Sequence, residues 1–422
     1  MVIGAGVLGA SVAVRLARAG MQVTLLDQDE PGHGTSRWSF AWVNSNDKRP
    51  RPYHDLNHAG IRAWAELAPG LDGAVWYRPA GNLELATSDS GSAELSARID
   101  RLAGWRYPAR LIDAAEAAEL EPALLLPDPA ATIAWFPGEA YLLTEPLIER
   151  LVAYLTSQGG TVLTGEPGRV TGLSAGPGDT PRIRTADGAV LEADEVVCCV
   201  GRWTPGLAAL AGAAGTVPLV PWDTPGSPAP ALVVRVGPVT PQGPVRLIHT
   251  PQIALRPHSG GLLHLEALDA AVDLHTPEAE LNRLAGELLN RARRTVRSLD
   301  RAHVVAAQVC VRPLPADEQS IVGRLPGAGV DAGPHRGRGR DRGRPGGLLR
   351  RALDPRAGRA GRGGGHGAVG ALGHARVVRA RTGRPGRPGH PGRAGAPDPH
   401  AADSAASPSR RPAPPGGTGH AR

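Results

Sequence analysis

Residues 2–9 read Val2-Ile3-Gly4-Ala5-Gly6-Val7-Leu8-Gly9, a short apolar lead into a G-x-G-x-x-G turn. Over residues 10–19 the apolar positions recur at helical spacing, and Gly20 follows as a stop. Gln22–Leu26 then predict a second strand that ends at Asp27. Strand, glycine turn, helix, strand and acid in this order predict a dinucleotide-binding unit. The three glycines act differently. Gly4 permits the tight turn, Gly6 lets a pyrophosphate approach the backbone, and Gly9 lets the helix pack on the strand. Val7 and Leu8 open the helix, whose free N–H groups and positive dipole end face the phosphates. Asp27 lies where a carboxylate accepts bonds from ribose hydroxyls. Met1 abuts the motif, so the first strand is expected to be short.

The rest of the chain bounds what this unit can belong to. With 422 residues, 41% hydrophobic and 21% charged, the sequence suits two globular domains. It has no run of eighteen apolar residues, so no membrane span is predicted, and no secretory leader is read at its start. Cys198, Cys199 and Cys310 are the only cysteines, which excludes a disulfide scaffold and fits a cytoplasmic location. No Ser-His-Asp set or metal cluster stands out; His54 and His58 are four apart but lack a third ligand.

The last 92 residues are a different polymer. Residues 331–422 contain 22 Gly, 19 Arg, 16 Ala and 12 Pro, with no aromatic residue, Lys or Glu. Their net charge is +14, against −7 for residues 1–330. Such a composition cannot bury enough apolar surface to offset chain entropy, so a disordered tail is expected. Two readings account for it. Arg, Gly, Ala and Pro are what GC-rich codons give out of frame, and Lys48 is the only lysine, so the C-terminus reads as frameshifted. The other reading is a basic arm that grips phosphates, making the chain a nucleic-acid-binding protein. The lack of aromatics for base stacking weighs against nucleic acid as a partner.

Six further stretches carry a family resemblance. They are Gly34-Thr35-Ser36, Gly81-Asn82-Leu83-Glu84-Leu85-Ala86, Gly168-Arg169-Val170-Thr171-Gly172-Leu173, Glu195–Trp203, Arg312-Pro313-Leu314-Pro315-Ala316-Asp317 and Ile321-Val322-Gly323. In this order the sequence resembles the FAD-dependent amino-acid and amine oxidoreductases, the superfamily of D-amino-acid oxidase, glycine oxidase and sarcosine oxidase. The resemblance implies an α/β fold: a doubly wound, Rossmann-like FAD-binding domain with an inserted antiparallel-sheet substrate domain. Its parts fall at 1–80, 139–215 and 301–330 for the FAD domain, 81–138 and 216–300 for the substrate domain, and 331–422 for the tail. Ala231–Val236, Ile253–Arg256 and Leu262–Glu266 agree as strands, His258–Gly261 as a hairpin turn, and Glu278–Arg297 as a helix.

The resemblance also implies site residues. Thr35 and Ser36 lie by the flavin, Val170 by the adenine, and Gly201 and Trp203 at the end of a buried strand. Arg312 would clamp a substrate carboxylate; the plainer alternative is an ion pair with Asp317 or Glu318. Cys310 stands where some relatives link flavin through a thioether, or is simply a small buried side chain. The implied reaction oxidises a C–N bond of a small amino acid or secondary amine by hydride transfer to FAD. The imine is then hydrolysed, and oxygen or a quinone takes the electrons. The family continues after R-P-x-x-x-D into a strand, a turn and a long helix facing the flavin. From Gly327 onward no such segment is read, so an inactive truncated flavoprotein is the remaining alternative.

Overall fold

The computed structural model describes residues 1–126, 131–175, 180–267, 269–325 and 375–379. All of them belong to one unit, Met1–Thr382. The remaining residues of 326–422, where the tail is expected and the family has its last segment, lie outside the described residues.

Two sheets organise the unit. The first has six strands: β1 (Val2–Ile3), β2 (Thr24–Leu26), β9 (Thr161–Leu163), β13 (Glu195–Cys198), β19 (Val322–Arg324) and β20 (Ala375–Arg379), in the order β19-β20-β13-β1-β2-β9. β1 pairs in parallel with β13 and β2, and β2 with β9. The second has eight: β5 (Asn82–Ala86), β6 (Arg110–Ile112), β7 (Thr132–Phe136), β14 (Pro230–Gly237), β15 (Leu247–His249), β16 (Ala254–His258), β17 (Leu262–Ala267) and β18 (His303–Val311). Their order is β18-β14-β17-β16-β15-β5-β7-β6, antiparallel except between β15 and β5. Two small sheets complete the set. One is β3 (Trp42–Val43), β8 (Ala140–Leu142) and β4 (Tyr77–Arg78); the other is β10 (Val170–Ala175), β11 (Pro181–Thr185) and β12 (Val190–Glu192).

Helix α1 (Val7–Arg18) crosses from β1 to β2. It ends as its sequence predicts: Gly20 takes φ +81°, and the Met21 and Gly20 amides bond back to the Leu16 and Ala17 carbonyls. Val12 and Leu16 pack in one core with Leu147, Leu151 and Leu155 of the helix Thr144–Ser157. Each of those three leucines is fully buried and contributes about 2 kcal/mol. A second core lies on one face of the eight-stranded sheet. There Leu232, Val234, Leu255, Leu263 and Leu265 meet Ala285, Leu288 and Ala292 of the helix Glu278–Thr295. The β16–β17 turn at Ser259–Gly261 puts Gly260 and Gly261 at φ +70°, as the His258–Gly261 hairpin requires.

Three expectations need correction. Residues 301–330 do not all close the first sheet. β18 pairs with β14 along its length, because a nine-residue run rich in β-branched and small residues matches the eight of β14; only β19 joins the parallel sheet. The composition after Gly327 predicts no further strand for that sheet. Ala375–Arg379 nevertheless runs antiparallel to β13 and parallel to β19, and its adjacent Val377 and Val378 are strong strand formers. Gly201 and Trp203 do not end a strand: β13 stops at Cys198, and Gly201–Trp203 is a 3-10 turn with Gly201 at φ +56°.

Candidate functional site

The glycine turn sits at the carboxyl ends of β1, β2 and β13, where open parallel sheets bind ligands. Gly4 has φ +98°, and a Cβ there would lie 2.5 Å from the Cys199 carbonyl oxygen. A Cβ on Gly9 would lie 1.7 Å from the Gly4 oxygen, so the helix rests directly on the strand backbone. The N-cap Gly6 brings no side-chain cap, and no acid stands in the first turn of α1. The Ser36 hydroxyl accepts the Val7 amide at 3.0 Å, while the Leu8 and Gly9 amides have no partner among the described residues. That uncapped, positive helix end fits a pyrophosphate.

Asp27 ends β2 as expected. Its carboxylate accepts the Ala5 amide at 2.6 Å and the Asp29 amide at 3.0 Å, which fixes it at the mouth of the turn. Burial raises its pKa, and the two amides pull it back. Lone pairs remain for ribose hydroxyls. Gly168 closes the loop beside it, since a Cβ there would lie 2.1 Å from the Asp27 carbonyl oxygen. Val170 lies further back, packed on the cluster of Ile3, Ile183, Val196 and Cys198.

The other sequence-predicted residues converge on the short helix α2 (Thr35–Trp38). Thr35 donates its hydroxyl to the Val311 carbonyl at 2.7 Å, and Cys310 Sγ lies 3.8 Å from the Thr35 carbonyl. Thr144 donates to the Ser36 carbonyl at 2.7 Å. Gly34 faces the Trp203 ring at 3.6 Å, and Gly201 faces Pro313 at 4.0 Å, both measured from an added Cβ. Trp203 is 41% exposed, and the Arg202 guanidinium stacks on it at 4.0 Å. Glycine turn, G-T-S, G-x-W and R-P thus form one continuous surface.

Arg312 makes no ion pair with Asp317 or Glu318 among the described residues. Its Nε donates to the Ala229 carbonyl at 3.4 Å and one Nη to the Pro228 carbonyl. The guanidinium is anchored by backbone, leaving donors on both terminal nitrogens. Cys310 is buried, and its thiol is pushed up to about 12, mainly by burial.

Sequence reading missed the polar face of the eight-stranded sheet. Opposite the leucine core, Arg235 of β14, Arg256 of β16 and His264 of β17 sit in one cross-strand row. Arg256 is 1% exposed and donates to the Phe40 carbonyl at 2.6 Å and the Ser39 carbonyl at 3.3 Å, so it carries the residues after α2. Burial lowers its pKa to about 10. Glu145 joins Arg37 at 3.2 Å to Arg235 at 3.2 Å, with His258 Nε2 at 3.8 Å. Burial, then Arg256 and Arg235, hold His258 at about 3 and His264 well below its ordinary value, so both rings are neutral. Neither His264 nitrogen makes a well-formed hydrogen bond, although the Trp38 backbone lies close enough to raise its pKa slightly. Deeper in, Glu139 accepts from Trp42 Nε1 at 2.8 Å and the Tyr107 hydroxyl at 2.7 Å, and burial raises it to about 8. The signal for this face was strand alternation in Ile253–Arg256 and Leu262–Glu266. Which parity faces α2 depends on pairing across the sheet.

Among the described residues no group of acids, histidines and cysteines is arranged to hold a metal, and no helix is long and apolar enough to cross a membrane.

The family model described as FAD dependent oxidoreductase (DAO) matches residues 1–380. The tRNA 5-methylaminomethyl-2-thiouridine biosynthesis bifunctional protein of Chromohalobacter salexigens is 32% identical over 216 residues. That match covers 50% of this chain and 29% of the relative, so the chain spans less than a third of that protein's length. Glycine oxidase from Geobacillus kaustophilus is similar in structure, with a TM-score of 0.66 and 21% identity over 78% of this chain and 85% of that one. Iminodiacetate oxidase from Chelativorans sp. BNC1 has a TM-score of 0.61 and 24% identity over 77% and 86%. At these identities the structures share the fold.

Proposed function

The chain belongs to the DAO family of FAD-dependent oxidoreductases, and on that premise we propose that it oxidises the C–N bond of a small, carboxylate-bearing amine. The observation that carries this reading is Arg312, a partly buried guanidinium held by two backbone carbonyls and free of acid partners among the described residues. A planar fork with open donors suits a carboxylate. Glycine and iminodiacetate, the substrates in the names of the two similar structures, each carry a carboxylate one carbon from nitrogen.

FAD is the cofactor of the family. Gly4, Gly6 and Gly9 with the Leu8 and Gly9 amides would hold its pyrophosphate, Asp27 its ribose, and Thr35, Ser36, Gly201 and Trp203 the surface beyond. When bound, FAD would supply the electron sink for a hydride from the substrate Cα. The protein's own part is orientation. Arg312 fixes the carboxylate end, and Arg256 holds Ser39 and Phe40 so that the polar sheet face covers the reacting carbon. With His258 and His264 neutral and Arg235 paired to Glu145, Arg256 and Glu266 are the remaining charged groups of that face on β14, β16 and β17. The imine product hydrolyses in water, and electrons pass to oxygen or a quinone. Residues 331–374 and 380–422, on which a nucleic-acid reading rests, lie outside the described residues, and nothing in the described ones favours it.

The decisive experiment is spectroscopic. The purified 422-residue protein should show flavin absorption, bleached anaerobically by one of glycine, sarcosine, proline or iminodiacetate. A protein that lacks flavin, or is protected by a nicotinamide instead, refutes the reading. Peroxide formed under air separates an oxidase from a quinone-linked dehydrogenase.

A further inference from the structure

Glu266 is the one acid on the site face of β17. Leu263, Leu265 and Ala267 turn into the leucine core, so Leu262, His264 and Glu266 face the other way, toward Phe40 and α2. Its cross-strand neighbours are Val233 on β14 and Ala254 on β16, neither of which can bond it. The carboxylate is partly buried and has no hydrogen bond or ion pair among the described residues. Burial is the main influence on its pKa, which is raised; Arg312 and then Arg256 pull it back. Cys310 feels Glu266, Arg202 and Arg312 in turn. Glu266 thus shares its face of the sheet with Cys310 and Arg312 of the β18 end and Arg256 of β16, and it is the acceptor there with nothing to accept among the described residues.

The register gives the scale. Val311 pairs with Pro230 and Glu266 with Val233, so Arg312 and Glu266 lie on the same side of the sheet with Cα atoms roughly 16 Å apart. The guanidinium is held at the Pro228 and Ala229 carbonyls, and Glu266 stands further along the same face, so a small amino acid with its carboxylate on Arg312 would have its nitrogen end on the Glu266 side. A partly buried carboxylate without a partner gains from a ligand that supplies the missing donor.

We propose that Glu266 receives the nitrogen of the substrate, accepting its N–H and taking the ammonium proton before the C–H bond breaks. This rests on the amine-oxidising reading above. The transfer is a proton movement alone: an N–H bond breaks, a carboxyl O–H bond forms, and the electron pair stays on nitrogen. The neutral amine then has the lone pair that assists hydride loss from Cα, for which FAD, when bound, would be the sink. The charged and titratable groups on this face are Arg312 and Cys310 at the β18 end, Arg235 on β14, Arg256 on β16 and His264 on its own strand, with Arg202 of the 3-10 turn acting on Cys310. The His264 imidazole, its pKa held well below the ordinary value by burial, is too weak a base to keep an ammonium proton, and the thiol is protonated, which leaves Glu266 as the base.

The test compares two carboxylates on the FAD-loaded full chain: sarcosine, which has an N–H, and methoxyacetate, which has an ether oxygen in its place. In Glu266→Gln, anaerobic flavin reduction by sarcosine should slow about 100-fold at pH 8 and lose the ionisation seen in the wild-type pH profile. Methoxyacetate binding, read from the flavin spectrum, should stay within about threefold or tighten, because a repelling charge is gone. Glu266→Asp should recover part of the rate and the ionisation. An unchanged sarcosine rate and pH profile in Glu266→Gln overturns the proposal, as does an equal loss of methoxyacetate binding, which would mark a structural role. If the wild-type flavin binds methoxyacetate but no amine reduces it, the amine-oxidising reading itself has failed, and this assignment with it.

Discussion

Replacing Gly9 by alanine tests the geometry on which nucleotide binding depends. The new Cβ would lie 1.7 Å from the Gly4 oxygen and 3.2 Å from Cys199 Cβ. Ordinary carbon–oxygen contacts are about 3.3 Å, so α1 must lift from β1 by about 1.5 Å. The carbonyl cannot yield, because β1 is clamped between β13 and β2 and the Gly4 amide bonds the Leu26 carbonyl at 2.7 Å. Overpacking of this kind costs about 3 kcal/mol, a large share of a typical margin of about 5–15 kcal/mol. The melting temperature should drop by roughly 5 °C. The lift also moves the Leu8 and Gly9 amides, so FAD affinity should fall more than tenfold. Thermal melts and the flavin-to-protein ratio after gel filtration measure both effects. Gly286→Ala is the control: it lies inside the helix Glu278–Thr295, and its Cβ would meet nothing within 4 Å. It should gain about 0.5–1 kcal/mol and keep its flavin. A Gly9→Ala protein with wild-type melting and flavin content refutes the packing argument.

Other substitutions probe the rest of the site. Arg312→Lys keeps the charge but loses the fork, so kcat/KM for a carboxylate amine should fall about 10- to 100-fold through KM at constant flavin content; an unchanged KM removes the clamp. Glu139 titrates at about 8 against an ordinary 4.5, so the folded protein keeps a proton that the unfolded chain has released across that range. Its contribution to stability therefore declines as pH rises from about 4.5 to about 8, and Glu139→Gln should lose less melting temperature than wild type between pH 5 and 8. Parallel melting curves count against the burial assignment. The Cys310 thiol, at about 12, stays protonated near neutrality, so acid precipitation should release all the flavin from wild type and Cys310→Ser alike. A yellow wild-type pellet would show a covalent link.

The nucleotide half of the site was legible because its chemistry is local. Gly4, Gly6, Gly9 and Asp27 lie within one βαβ unit, and their spacing alone states what each must do. The Arg312 motif was legible as a pattern, but its anchoring on the Pro228 and Ala229 carbonyls depends on how β18 lies beside β14. Arg256, His264 and Glu266 were out of reach for the same reason at larger scale. Strand alternation shows that two faces differ, and only the pairing of β14, β16 and β17 shows which one meets α2. Val377 and Val378 were hidden by their setting, since two β-branched residues do not register against so much Gly, Arg and Pro.

The eight-stranded sheet also sorts its own mutations by parity. Along β14, β16 and β17, one set of alternate positions (Leu232, Val234, Leu255, Leu263, Leu265) is spent on the helix-covered core. The intervening set (Val233, Arg235, Ala254, Arg256, His264, Glu266) faces the chemistry. A library randomised at every second codon of these strands, with Arg235 and Arg256 kept, would therefore search for new substrates at little expense to folding. The same library displaced by one codon would search for heat tolerance with the substrate range left alone. Neighbours in the chain are thus independent design variables, and residues two apart are coupled ones.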